Sequence, residues 1–297
     1  MSEQQEFRLS FEFFPPKTDV GREKLITVRK ELNDIHPDFF SVTYGAGGST
    51  RDNTKGIVKK MREEGLSVAP HLSFGGDTEE TILPLLQEYK DMGVDRIVAL
   101  RGDMPSGVGG AQQLVYANEL VAFIRKHFDD HFHLEVAAYP EIHPEATSYL
   151  DDVRYLKGKF DAGANSAITQ YFFNPDAYFY FMDQCQKEGI DQPIYPGIMP
   201  ILNYRNLARF SDSCGADIPR WMRKRMESFG DNQEALISFG IDWISELCDT
   251  LLDAGAPGLH FYTMNQTEPT ATIIKNLGLE DAPNAQEHNH EGCGHEH

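Results

Sequence analysis

The chain has 297 residues, 40% of them hydrophobic and 25% charged, which are the proportions of a soluble globular protein. That length accommodates two average domains or one α/β barrel with a large core. With 27 basic against 46 acidic residues the net charge is −19, which excludes a general attraction to nucleic acid or to an anionic membrane surface.

The N-terminal stretch MSEQQEFRLS has neither a basic start nor an apolar core, so no secretory signal is expected. No apolar run approaches the ~20 residues of a membrane span. Cys185, Cys214, Cys248 and Cys293 are far apart and form no CxxC. A disulfide framework and a structural zinc site are therefore not expected, and the chain reads as cytoplasmic.

Eight short runs rich in β-branched and aromatic residues predict strands. In chain order they are Leu9–Phe14, Asp38–Tyr44, Ser67–Ser73, Asp95–Arg101, His133–Tyr139, Asn165–Phe172, Pro193–Met199 and Gly258–Met264. Helical spacing of apolar residues fills the intervals, as in the stripe Leu25, Val28, Leu32 and the stripe Ile82, Leu85, Leu86, Tyr89. Most strand-to-strand intervals are about 27 to 39 residues, the length of a βα unit. Gly93, Gly163 and Gly255 each follow a helical stripe and precede a strand, which suits helix ends that need positive φ. Eight such units in series predict a (β/α)8 barrel spanning residues 1–280 as one domain. The rival is a doubly wound open sheet. It usually carries a GxGxxG phosphate loop, and the nearest stretch, Gly45-Ala46-Gly47-Gly48, has the wrong spacing. About 59 residues separate the seventh strand from the eighth and carry helical patterns, Ala235–Asp253 the clearest, so extra helices are expected there. Residues 281–297, DAPNAQEHNHEGCGHEH, lack apolar periodicity and are expected to be a disordered tail rich in His and Cys.

Barrel enzymes build their sites at the C-terminal ends of the strands. Polar residues ending these strands are therefore the candidates: Glu12, Thr43, His71, the turn Arg101-Gly102-Asp103, Tyr139 to His143, and Gln170. In Ser10-Phe11-Glu12-Phe13-Phe14, alternation sends the phenylalanines outward to helix faces and Glu12 inward. A carboxyl flanked by aromatics is desolvated and is expected to hold its proton to higher pH, as a general acid requires. The competing reading is a buried structural carboxyl paired with an inward Arg or Lys. Arg101 suits a phosphate and Asp103 a second acid or base; a strand-end salt bridge accounts for them equally. His71, after Pro70 in an apolar strand, reads first as a hydrogen-bonded core residue. Tyr44, Tyr139, Tyr171, Phe172 and Tyr262 suit a flat ring ligand or rim packing. No His/carboxylate set on the strands has metal-ligand spacing, so no catalytic metal is expected.

The segments SFEFFPPK (Ser10–Lys17), SVTYGAGGSTRD (Ser41–Asp52), APHLS (Ala69–Ser73), VALRGD (Val98–Asp103), AAYPEIHPEA (Ala137–Ala146), KFDAGANSAITQYFF (Lys159–Phe173), PGIMP (Pro196–Pro200) and HFYTMN (His260–Asn265) occur in this order. Together they closely resemble the methylenetetrahydrofolate reductase family in its short bacterial form, over roughly residues 8 to 279 and without the regulatory domain of longer members. The resemblance implies a (β/α)8 barrel that holds FAD on its loops. It implies hydride transfer in turn from NAD(P)H to FAD and from FAD to methylenetetrahydrofolate, feeding methionine synthesis. It casts Glu12 as the general acid and Asp103 as the acid beside flavin and folate. It places Tyr44, His71, Arg101, Gly102, Asp103, Tyr116, Ala117, Tyr139, His143, Ala146, Asp152 and Lys159 against FAD. It places Thr43 and Gln170, with Asn206 and Gln266, against the substrates. The implied partners are these small molecules, not nucleic acid or membrane, and a homo-oligomer is allowed.

Four positions depart from familiar members. Gly158 stands for Arg and Tyr155 for Asn in the segment facing FAD, where Lys157 or Lys159 could supply the charge. Gln266 stands for an Arg, which removes a cation for the folate's glutamate tail, and Asn206 stands for Gln. Other readings are a different flavin barrel, such as a proline-dehydrogenase-like enzyme, and a scaffold for metal binding by His288, His290, Cys293, His295 and His297; for the tail alone, a solvated and dispensable segment is the competing account.

Overall fold

The computed structural model describes residues 7–44, 48–74, 78–101 and 116–280. Strands and helices alternate along them: β1 (Arg8–Phe13), α1 (Asp19–Asn33), β2 (Phe39–Val42), α2 (Gly48–Glu63), β3 (Val68–Ser73), α3 (Glu79–Asp91), β4 (Arg96–Leu100), α4 (Ala117–Phe128), β5 (His133–Ala138), α5 (Tyr149–Asp161), β6 (Ser166–Thr169) and α6 (Pro175–Lys187). Then come β7 (Ile194–Tyr195), β8 (Gly197–Ile198), α7 (Tyr204–Cys214), α8 (Arg220–Ser228), α9 (Gln233–Asp253), β9 (Gly258–Tyr262) and α10 (Thr270–Asn276). The strand order is β7-β6-β5-β4-β3-β2-β1-β9-β8, and every pairing is parallel.

The nine segments make eight staves. Between β7 and β8 lies Pro196, which has no N–H to continue the ladder. β7 bonds to β6, β8 bonds to β9, and the Pro196 carbonyl accepts from His260 N at 3.0 Å. The predicted seventh strand thus changes neighbours at its proline and closes the ring. The fold is the expected (β/α)8 barrel, and α7, α8 and α9 fill the interval where extra helices were expected, α9 covering Ala235–Asp253. Gly93 and Gly163 take φ of 76° and 113° at helix exits, as their positions predicted. The last strand ends earlier than predicted, because Met264 and Asn265 turn away at φ of 54° and 55°.

Alternation sorts the strand side chains into two shells. Leu9, Phe11 and Phe13 of β1 face outward into the main core with the helices, and Phe13 stacks on Phe40 at 5.3 Å. A separate apolar cluster of Phe39, Ala69, Val98 and Ile168, from four different strands, fills the middle of the barrel. Below it lies a polar layer. Glu135, fully buried, accepts from Arg8 at 2.8 Å, Arg96 at 2.5 Å and Ser166 at 2.5 Å, with His133 Nε2 at 3.2 Å. Arg8 and Arg96 also cover the rings of Tyr195 and Phe39. Above the apolar layer the barrel opens into a cavity.

Gly197 sets the width of that opening. A Cβ there would come within 2.1 Å of the Thr169 carbonyl oxygen and 2.7 Å of the Tyr262 ring. With hydrogen in its place, Tyr262 lies across the β6–β8 gap and its hydroxyl donates to Thr169 O at 2.7 Å. Among the described residues no helix is long and apolar enough to cross a membrane.

Candidate active site

Glu12 projects inward from β1, as alternation predicted, and reaches the cavity floor with its side chain 18% exposed. Its partners are neither Arg nor Lys. His71 Nε2 of β3 stands 3.3 Å from its carboxylate, and His260 Nε2 of β9 stands 3.6 Å from it. His260 is fixed from behind: its Nδ1 meets Ser10 Oγ at 2.7 Å, and its ring packs edge-on to Tyr262 at 5.3 Å. Thr263 Oγ1 donates to the Glu12 carbonyl at 2.7 Å, which ties the top of β1 to the end of β9.

This surrounding corrects the expected proton affinity. Burial does push the Glu12 carboxyl up, but the two imidazoles that face it, His71 foremost, outweigh that and bring it down to about 2. In the ligand-free site Glu12 is therefore ionised at neutral pH. Raised carboxyls in this region are Asp152, by burial, and Glu141, beyond β5. Burial pushes Glu141 up to about 7, although Asp217 N donates to it at 2.8 Å. It faces the loop after α7.

The cavity above Glu12 has a volume of about 450 Å³. Thr43, His71, Tyr139 and Gln170 line it, as the sequence suggested for a site at the strand ends. Phe210, Cys214 and His260 line it too and were not among the predicted site residues. His260 was legible: alternation in GLHFY puts Gly258, His260 and Tyr262 on the inward face. Phe210 had no comparable signal. Its position in a helix reads as packing, and only the placement of α7 over the mouth brings it to the cavity.

The β4–β5 side of the mouth carries the candidates for a phosphorylated cofactor. Arg101 pairs with Glu145 at 2.5 Å, with its guanidinium 6.0 Å from the Tyr116 ring. Glu145 N donates to His143 Nδ1, His143 N donates to Asp152 Oδ2 at 2.7 Å, and the His143 ring packs edge-on against Tyr139 at 4.6 Å. Ala146 N closes the same turn on the His143 carbonyl. Ala117 is buried in the first turn of α4, and Tyr116 is exposed at its cap. Lys159 extends inward from α5 to the Ala137 carbonyl at 2.7 Å. Burial lowers its ammonium to about 8, and Asp152 opposes part of that. Lys157 points elsewhere, to Asp161 at 3.2 Å. Of the two lysines near Gly158, Lys159 is thus the one that faces the barrel. Arg101 at the end of β4 and Lys159 held at Ala137 of the neighbouring β5 are cations that could meet a diphosphate, and Tyr139 on the cavity wall could meet an aromatic ring, as FAD would require.

Other predicted residues stand apart. Tyr44, Asn206 and Gln266 are not on the cavity wall; Asn206 is exposed in the first turn of α7, where its N–H bonds Asn203 Oδ1. Gly102 and Asp103, with the His/Cys-rich tail, lie outside the described residues.

The family model for methylenetetrahydrofolate reductase matches residues 1–278. The chain is 39% identical over 277 residues to 5,10-methylenetetrahydrofolate reductase of Escherichia coli (strain K12), which covers 93% of this chain and 92% of the relative. It is 38% identical over 295 residues to methylenetetrahydrofolate reductase (NADH) 1 of Arabidopsis thaliana, covering 95% of this chain and 50% of that longer protein. Among solved structures, an uncharacterised Clostridium thermocellum protein that binds two copies of 5-methyl-5,6,7,8-tetrahydrofolic acid superposes with a TM-score of 0.61 at 17% identity, covering 93% of this chain and 96% of that one. At that identity the likeness speaks for the barrel alone.

Proposed function

Because this chain belongs to the methylenetetrahydrofolate reductase family and is an oxidoreductase, we propose that it reduces methylenetetrahydrofolate to methyltetrahydrofolate through bound FAD, using NADH or NADPH in alternation with the folate. The observation that carries the reading is the Glu12–His71–His260 cluster at the floor of a cavity whose rim offers Arg101 and Lys159.

When bound, FAD supplies the hydride acceptor and donor; the protein supplies place and protons. Arg101 and Lys159 would hold the diphosphate, and Tyr139 and His143 would flank the cofactor. Thr43 and Gln170 orient the substrate rings over the cavity floor. The folate's one-carbon bridge joins two nitrogens in a five-membered ring. That ring opens to an iminium before hydride adds, and protonation of one nitrogen assists the opening. Glu12 faces the cavity and delivers that proton. Its carboxylate is ionised in the ligand-free site; a ring ligand that displaces water raises its basicity, so that it takes up the proton it delivers. Ser10 and Tyr262 hold His260 in place against it.

The reading is tested by purification. The protein should be yellow, and NADH or NADPH should bleach it under anaerobic conditions. Arg101→Ala combined with Lys159→Met should purify colourless, or release its flavin on dilution, while keeping wild-type circular dichroism. A variant that stays fully flavinated would place the diphosphate elsewhere.

A further inference from the structure

Helix α7 lies over the cavity mouth and supplies Phe210, Ser213 and Cys214 to its wall. Three contacts hold the end of that helix. Beyond β6, the Tyr171 hydroxyl meets Ser211 Oγ at 3.1 Å and Cys214 Sγ at 3.5 Å. Gly215 ends α7 at φ of 78° against the turn that follows β5; a Cβ there would come within 3.1 Å of Pro144. From the same turn Glu141 reaches across to accept from Asp217 N at 2.8 Å. The turn is itself constrained, because Ile142, a β-branched residue, takes φ of 94°, which such a residue keeps only where its surroundings fix it. Tyr139 and His143 stand on either side of this segment, so one turn touches both the cofactor rim and the helix over the mouth. Glu141 is not on the cavity wall.

We propose that Glu141 is a positioning residue for substrate binding: by holding the loop after α7 to the turn after β5, it keeps Phe210 and Cys214 on the cavity wall and so raises the affinity for a ring that enters there. The inference rests on the reading of this cavity as the substrate site. The contact needs an acceptor oxygen, not a charge. Glu141 makes no ion pair among the described residues, and the charge that acts on it is that of Asp217, another acid. Burial pushes the Glu141 carboxyl up to about 7 against the hydrogen bond from Asp217 N, and the Asp217 charge adds to the rise. A neutral oxygen therefore suits this place at least as well as a carboxylate.

The test is stopped-flow kinetics of the holoenzyme. Glu141→Ala should raise the methylenetetrahydrofolate concentration that half-saturates flavin reoxidation by about five- to tenfold, the scale of one lost hydrogen bond, and leave the limiting rate within about twofold. Glu141→Gln keeps an oxygen for Asp217 N and should bind as tightly as wild type. Gly215→Ala leaves Glu141 in place but crowds the same contact at a positive φ, so it should weaken binding in the same direction. A Gln variant as weak as the Ala variant overturns the proposal, since a charge would then be at work. So does a loss confined to the limiting rate, or a Glu141→Ala protein that sheds its flavin, since the residue would then serve the chemistry or the cofactor rim. If methylenetetrahydrofolate does not reoxidise the wild-type flavin, the folate reading falls and the clamp is read on the nicotinamide nucleotide instead. Its half-saturating concentration for flavin reduction should rise in Glu141→Ala, and an unchanged value overturns the clamp as well.

Discussion

Glu12→Gln should slow the reduction of methylenetetrahydrofolate by about 10²–10⁴-fold while leaving flavin reduction by the nicotinamide nucleotide within about tenfold of wild type. The substitution keeps the side chain's shape and removes its capacity to take up and donate a proton. Hydride transfer from the nicotinamide needs orientation but no proton donor, whereas ring opening of the folate needs an acid. The two halves of the cycle therefore separate in stopped-flow traces. The same logic fixes the sign of the pH response. The folate half-reaction requires a proton on Glu12, whose carboxyl is held low, so raising the pH should slow it first, with flavin reduction changing less. Equal losses in both halves on Glu12→Gln would mean that Glu12 holds the structure or the flavin.

Glu135→Gln should destabilise the protein by about 3 kcal/mol, at the lower end of the range for breaking a buried ion pair. The carboxylate is fully buried and answers two arginines whose side chains are 16% and 18% exposed. Without it, both guanidinium groups face each other at the base of the barrel. Burial pushes the Glu135 carboxyl up, but the hydrogen bond of His133 and the charges of Arg96, Arg8 and His133 hold it well below the usual carboxylate range. A carboxyl depressed in the folded state stabilises above its unfolded value of 4.5 and loses that contribution as the pH falls through the folded value. Wild-type stability should therefore drop on acidification below about 4.5, and the variant should lack most of that drop. Urea midpoints measured from neutral to acidic pH report both effects. A loss under about 1 kcal/mol at neutral pH would mean that the arginines find water or other partners.

The barrel was legible because each strand is an apolar run set between helical stripes, and parallel strands buried on both faces leave that mark. The division of the seventh strand was not, although Pro196 stood in plain view. PIYPGIM reads as one strand, and only the pairing of its halves with β6 and β9 shows what the proline does. Alternation placed Glu12 inward correctly and misjudged its proton affinity. Flanking phenylalanines suggested desolvation alone, while the histidines that reverse the outcome come from β3 and β9, the latter with His260 bonded to Ser10 across 250 positions. The structural carboxyl that the sequence weighed for Glu12 does exist, but as Glu135, with Arg8 from the same strand as its partner. Arg8 and Glu12 point inward at opposite ends of β1, so one strand supplies both part of the plug and a carboxylate at the cavity floor. Charge pairing across a closed sheet depends on register, which no local pattern reveals.

The central claim, that a flavin on this barrel passes hydride to a folate, is tested most directly by one anaerobic measurement. The holoenzyme is reduced with a stoichiometric amount of NADH or NADPH, the excess nucleotide is removed, and methylenetetrahydrofolate is added without oxygen. The flavin absorption should return, with methyltetrahydrofolate formed in a one-to-one ratio to flavin. A flavin that stays bleached in the presence of saturating methylenetetrahydrofolate would contradict the account.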